Sequence, residues 1–164
     1  MTDPAWLDLA RAELAADTRE VPGPGINPRI ASYYETLGVQ RSRVDDDGDP
    51  WCAVFTSAML RRAGLVPPQR FRAARSFCEW GQACERRVGA VIVLERIDPH
   101  APTVPHGHVG FWLHEDAGRV WLLSGNSGNR VSVHGYDPAR VIACRWPTAG
   151  MLAAAGLSAA GTRL

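Results

Sequence analysis

Apolar and polar residues alternate with two different periods along this chain, and the change of period falls near its middle. In the first half Leu7, Ala10 and Leu14 recur at helical spacing behind Asp3-Pro4, a helix-opening pair. The segment Val21-Pro22-Gly23-Pro24-Gly25 breaks that helix. Asn27-Pro28 opens a second one carrying Ile30, Tyr33, Tyr34 and Leu37, with Gly38 as its left-handed stop. After a polar loop from Gln40 to Gly48, Asp49 as N-cap and Pro50 at the first helical position predict a third helix. Its apolar stripe is Cys52, Phe55 and Met59, and Arg61, Arg62 and Gly64 mark its end. A further helical stretch is expected around Ala73 to Trp80.

The second half reads as strands. Ala90–Glu95, His108–His114, Arg119–Ser124, Arg130–His134 and Val141–Trp146 are short, rich in Val, Ile, Leu and Trp, and separated by Gly, Pro, Asp or Asn. Asp116-Ala117-Gly118 joins the second and third as a hairpin. Helices followed by strands imply an α+β fold, with N-terminal helices packed on a five-stranded antiparallel sheet. Residues 1–147 form one domain in this reading, and 148–164 an Ala/Gly-rich tail that is either a loose helix or unstructured.

Composition narrows the function. At 164 residues, 46% hydrophobic and 21% charged, the chain is long enough for a substantial core. A net charge of +1, with every one of the 18 cations an Arg, supplies no basic stripe for nucleic acid. No segment approaches the roughly 20 apolar residues of a membrane helix. The start Met1-Thr2-Asp3-Pro4 has neither the basic flank nor the apolar run of a secretory signal. Cys52, Cys78, Cys84 and Cys144 contain no C-x-x-C pair, so reduced thiols are expected, the last three as small core residues.

The informative chemistry is a thiol at a helix start, followed by a histidine and an asparagine on a sheet. The first turn of a helix favours a thiolate through its free N–H groups and dipole. On the strand from His108, Val109, Phe111 and Leu113 point one way and His108, Gly110, Trp112 and His114 the other. Gly110 leaves a gap on the histidine's face. Cys52 is therefore the candidate nucleophile, His108 its base and Asn126 the group that orients the imidazole. Trp51 and Trp80 are candidate cleft-lining residues.

Bland readings stand beside these: a buried cysteine, a structural histidine, a turn asparagine. Asn129 rivals Asn126, and nearby carboxylates would raise the thiol's pKa. His106 and His108 share a strand face, but no HExxH or cysteine pair accompanies them, and no metal or other cofactor is expected. Asp45-Asp46-Asp47-Gly48-Asp49 fails the calcium-loop register, with Arg43 at the first ligand position and Val54 at the twelfth.

Taken together, Pro50-Trp51-Cys52-Ala53-Val54-Phe55, Ala74-Arg75-Ser76-Phe77 with Trp80-Gly81, Gly107-His108-Val109-Gly110-Phe111, Gly125-Asn126 and Arg145-Trp146-Pro147 resemble the NlpC-like and CHAP superfamily of cysteine hydrolases. The resemblance spans roughly residues 4 to 147 in the expected order. It implies a papain-like fold and hydrolysis of amide bonds in peptidoglycan, within the stem peptide or at the sugar–peptide link. In that family pattern Cys52 matches the nucleophile, His108 the base and Asn126 the orienting residue. Two departures stand out: Gly89-Ala90 replaces the family's Gly-Asp, and Asp98 to Pro105 lengthens the loop before His108.

The expected partner is peptidoglycan or its muropeptides, with no nucleic acid and no membrane insertion. A chain made in the cytoplasm would reach the periplasm or wall by non-classical export, phage lysis or contact-dependent delivery, with a delivery machine or immunity protein as further partners. Two rivals remain open: a non-catalytic cell-wall binding module of the same fold, and a papain-like thiol enzyme acting on another amide or acyl substrate.

Overall fold

A computed structural model of the protein describes residues 2–40, 50–97, 99–100 and 103–164. Among the described residues four α-helices, α1 (Ala5–Ala15), α2 (Pro28–Thr36), α3 (Cys52–Arg62) and α4 (Ala149–Ala154), accompany six strands. The strands are β1 (Gln82–Ala83), β2 (Val91–Arg96), β3 (His106–Asp116), β4 (Arg119–Ser124), β5 (Ser132–Tyr136) and β6 (Val141–Trp146). They form one antiparallel sheet in the order β1-β6-β2-β3-β4-β5. The architecture is α+β, with six strands rather than five. The extra strand, β1, has two exposed residues paired only with Arg145 and Trp146, too short to carry an alternating pattern.

Strand alternation splits the sheet into two unequal faces. Val91, Val93, Val109, Phe111 and Leu123 meet the helices in the main core, where Phe55 of α3 packs on Phe111 at 6.5 Å between rings. The other face holds a small cluster of Ile92, Leu94 and Leu122. Helix α3 is buried around nearly its whole circumference, from Cys52 to Leu60. That is the signature of a central helix rather than an amphipathic surface one. Among the described residues, no helix is long and apolar enough to cross a membrane.

The helix starts differ from expectation in one informative way. Asn27 caps α2 through Arg29 N–H at 2.8 Å, as its sequence indicates. Helix α3, however, starts at Cys52 with Trp51 as N-cap, so Pro50 lies outside it. The expected cap, Asp49, and the acidic run before it lie outside the described residues. The stretch around Ala73 to Trp80 is a 3₁₀ helix, Ala74–Glu79. The tail is ordered: Thr148 caps α4 through Met151 N–H, Leu152 and Leu157 are buried, and Gly161 O accepts from Ala5 N–H at 2.9 Å.

Helices α1, α2 and α3 are tied by a buried carboxylate. Glu13 accepts from Thr18 Oγ1 at 3.1 Å, Tyr33 OH at 2.7 Å, Arg29 Nε at 2.9 Å and Arg62 Nη1 at 3.3 Å. Burial pushes its carboxyl upward, yet the bonds from Arg29, Tyr33 and Thr18 outweigh this and hold its pKa below the usual value. Burial and the Glu13 carboxylate together raise the Tyr33 phenol. Glu13→Ala leaves Tyr33, Thr18 and Arg62 without their acceptor, and is expected to cost about 3 kcal/mol in urea unfolding.

Candidate active site

Two close approaches at glycines build the site. A Cβ at Gly125 would lie 2.6 Å from Phe55 Cβ and 2.7 Å from the Trp51 ring, so only glycine lets the end of β4 meet the start of α3. A Cβ at Gly110 would lie 2.7 Å from Ser124 Cβ and 2.9 Å from Leu123 O. The gap expected beside His108 is thus filled by Ser124, which pairs across from Gly110 and shares its face with the imidazole.

Cys52 occupies the first position of α3 and is 7% exposed. The backbone N–H groups of Val109, Ala53 and Cys52 itself face its sulfur. Burial raises the thiol pKa, against the pull of these N–H groups and of the Arg96 charge. The sulfur reaches β3 at the amide of the residue that follows His108. It also lines a cleft of about 780 Å³ whose wall includes Arg70, Arg72, Arg75, Arg96 and His106.

His108 projects from the opposite face of β3 to Val109 and Phe111, and is 9% exposed. Its Nε2 lies 2.9 Å from Ser124 Oγ and 3.2 Å from Tyr136 OH. Tyr136 OH in turn meets Ser127 Oγ at 2.9 Å. Burial, then the positive charges of Arg140, Arg96 and His134, push the imidazole down to about 4. At neutral pH the resting pair is therefore a neutral thiol and a neutral imidazole. Among the described residues no hydrogen bond joins the two directly; they flank the Val109 amide.

Asn126 sits elsewhere in this arrangement. With its amide oriented to satisfy both ends, Oδ1 accepts from Trp51 N–H at 3.2 Å and Nδ2 donates to Glu20 Oε1 at 3.2 Å. Glu20 Oε1 also accepts from Trp51 Nε1 at 2.9 Å. Asn126 thus holds the residue before Cys52, not the imidazole. The physical reason is the backbone. Across the bulge that follows Trp112, β4 pairs in a register that would bring Asn126 opposite His108 if it continued. The strand ends at Ser124, and Asn126 turns away with φ of 54°.

Trp51 and Trp80 do not line the cleft. Trp51 is fully buried against Tyr33, with ring centroids 6.2 Å apart. Trp80 is buried against Phe77 and donates from Nε1 to Val66 O at 2.8 Å. Sequence reasoning missed Ser124, Tyr136 and Glu20. Counting back from the Ala117-Gly118 turn and allowing one bulge pairs Ser124 with Gly110, which would have found the first. Glu20 arrives through an isolated antiparallel bridge, Arg19 to Arg130, which leaves no local pattern.

The imidazole shift has a consequence for stability. A folded-state pKa below the unfolded one means that the unfolded chain binds the extra proton first as pH falls. Stability should therefore drop between pH 6.5 and about 4, by up to about 3 kcal/mol from this group. Urea titrations of wild type and His108→Gln at pH 7 and pH 4 check this. The variant should lose less stability between the two. No protein-family model matches the chain, and no curated protein is detectably similar to it.

Proposed function

We propose that this chain is a cysteine hydrolase that cleaves amide bonds of peptidoglycan through a thioester on Cys52. The observation that carries the reading is the sulfur at the first turn of α3, faced by three backbone N–H groups, one of them that of Val109, the residue after a histidine whose Nε2 is engaged by Ser124 and Tyr136. In this reading Nδ1, the nitrogen not engaged by Ser124 and Tyr136, is the one that accepts the thiol proton. The resemblance in chain order to NlpC-like and CHAP enzymes, and the papain-like arrangement it implies, belong to the same proposal.

The chemistry runs as general-base catalysis from a neutral pair. His108 takes the Cys52 proton as sulfur attacks the amide carbon, then delivers it to the leaving nitrogen. Water activated by the same imidazole hydrolyses the thioester. The Cys52 N–H is a donor for the oxyanion at the helix start. Substrate binding tightens the thiol–imidazole approach, as is common where the unliganded geometry is loose. Four arginines in the cleft suit a peptide bearing free carboxylates. Wall material as partner, and arrival there by lysis, export or contact-dependent delivery, complete the proposal.

One observation favours a second reading. The two resting groups are neutral, share no direct hydrogen bond and are both largely buried, which suits a wall-binding module that has no need of a nucleophile. Digestion of purified peptidoglycan followed by mass spectrometry separates the two. Wild type should release muropeptides, and Cys52→Ala should lose at least about 10³-fold in rate while keeping the fold. Cleavage undiminished in that variant rejects the thioester, whereas binding without cleavage by wild type supports the module. For the enzyme, kcat/KM should hold from neutrality to about pH 5 and decline near 4, following the imidazole.

A further inference from the structure

Cys84 and Cys144 take no part in the site. Their sulfurs lie 3.4 Å apart, both partly buried and both free thiols. The pair continues the β1–β6 ladder by one step: Gln82 is registered with Trp146 and Ala83 with Arg145, and Cys84 N–H donates to Cys144 O at 3.1 Å. Residues directly opposite in an antiparallel ladder have Cα atoms about 4.5–5.5 Å apart, within the roughly 4.4–6.8 Å that a disulfide spans. Closing the bond needs a sulfur movement of little more than 1 Å, since S–S is about 2.05 Å.

We propose that Cys84 and Cys144 form a reversible disulfide on exposure to a small-molecule disulfide oxidant, stapling the edge strand β1 to β6. The exchange is balanced. The Cys84 thiolate attacks one sulfur of the oxidant and expels a thiol. Cys144 then loses its proton and attacks the Cys84 sulfur of the mixed disulfide, expelling a second thiol. Two protein thiols are oxidised and the oxidant's disulfide is reduced to two thiols. Burial, then the neighbouring Cys84 sulfur, push the Cys144 thiol up to about 12, which disfavours Cys144 as the first attacking group.

The staple acts on the short edge strand beside one wall of the cleft. β1 is two residues long, and the segment before it, Ala74–Glu79, forms one wall of the cleft. Arg145 already ties the two residues between that segment and β1 to β6, through Trp80 O at 2.8 Å and Gly81 O at 3.3 Å. A covalent link one residue beyond would close a long loop, from 84 to 144, and so remove a large amount of unfolded-state freedom. In a reducing cytoplasm the thiols stay open; in an oxidising compartment they close.

The test uses the full chain, reduced and then incubated with oxidised glutathione at pH 8. The expected result is a mass loss of about 2 Da, from two hydrogens. The cross-link should map to Cys84–Cys144, with Tm raised by at least about 5 °C. Dithiothreitol should reverse both effects. Cys84→Ser and Cys144→Ser should each abolish both. Persistent glutathione adducts, a cross-link at Cys52 or Cys78, or no change in mass overturns the pairing, and an unchanged Tm overturns the staple. None of these readouts depends on hydrolysis, so the result is independent of the proposed activity.

Discussion

The structure depends on how closely the start of α3 approaches the end of β4. That approach leaves no room for a side chain at Gly125, and the neighbouring strand pair leaves none at Gly110. Both glycines exchange side-chain packing for backbone proximity, so the adjoining groups must supply the order instead. They do so through Trp51, whose indole and backbone N–H are each held by a polar side chain. The N-cap residue of α3 thereby gains an acceptor for its own N–H, the group that a capping-box glutamate serves in other helices.

Much of the fold is legible along the chain, because local chemistry and tertiary packing agree there. The Asn27-Pro28 start, the Ala117-Gly118 hairpin and the five longer strands follow from caps, positive-φ turns and alternation. Illegibility begins where a partner is remote. Trp51 as N-cap cannot be read locally, since its stabilising acceptor, Asn126, lies about seventy-five residues downstream. β1 is too short for any pattern. The tail stays undecided between loose helix and disorder along the chain because Ala and Gly carry weak signals, and buried Leu152 and Leu157 seat it in the fold.

The candidate site divides in the same way. Cys52 at a helix start and His108 on an apolar strand are readable from spacing, and the structure sets them on either side of one peptide unit. The groups on the imidazole's far side were legible only with the bulge in hand, for a one-residue shift exchanges which side chain stands opposite which. Electrostatics adds what sequence could not. Arg96 on β2 bears on both groups, opposing the thiol's upward shift and reinforcing the imidazole's downward one. The total of +1 conceals this local excess of positive charge in the cleft.

Glu20 lies at the end of the short connection that pairs with Arg130 and Asn129, while α1 before it is anchored by Glu13. The alignment of the start of α3 is thus borrowed from chain laid down about thirty residues earlier. Partial detachment of that leading segment would slacken Trp51 while the sheet stays intact. Loosening around Cys52 would then precede global melting, a decoupling of local from overall order.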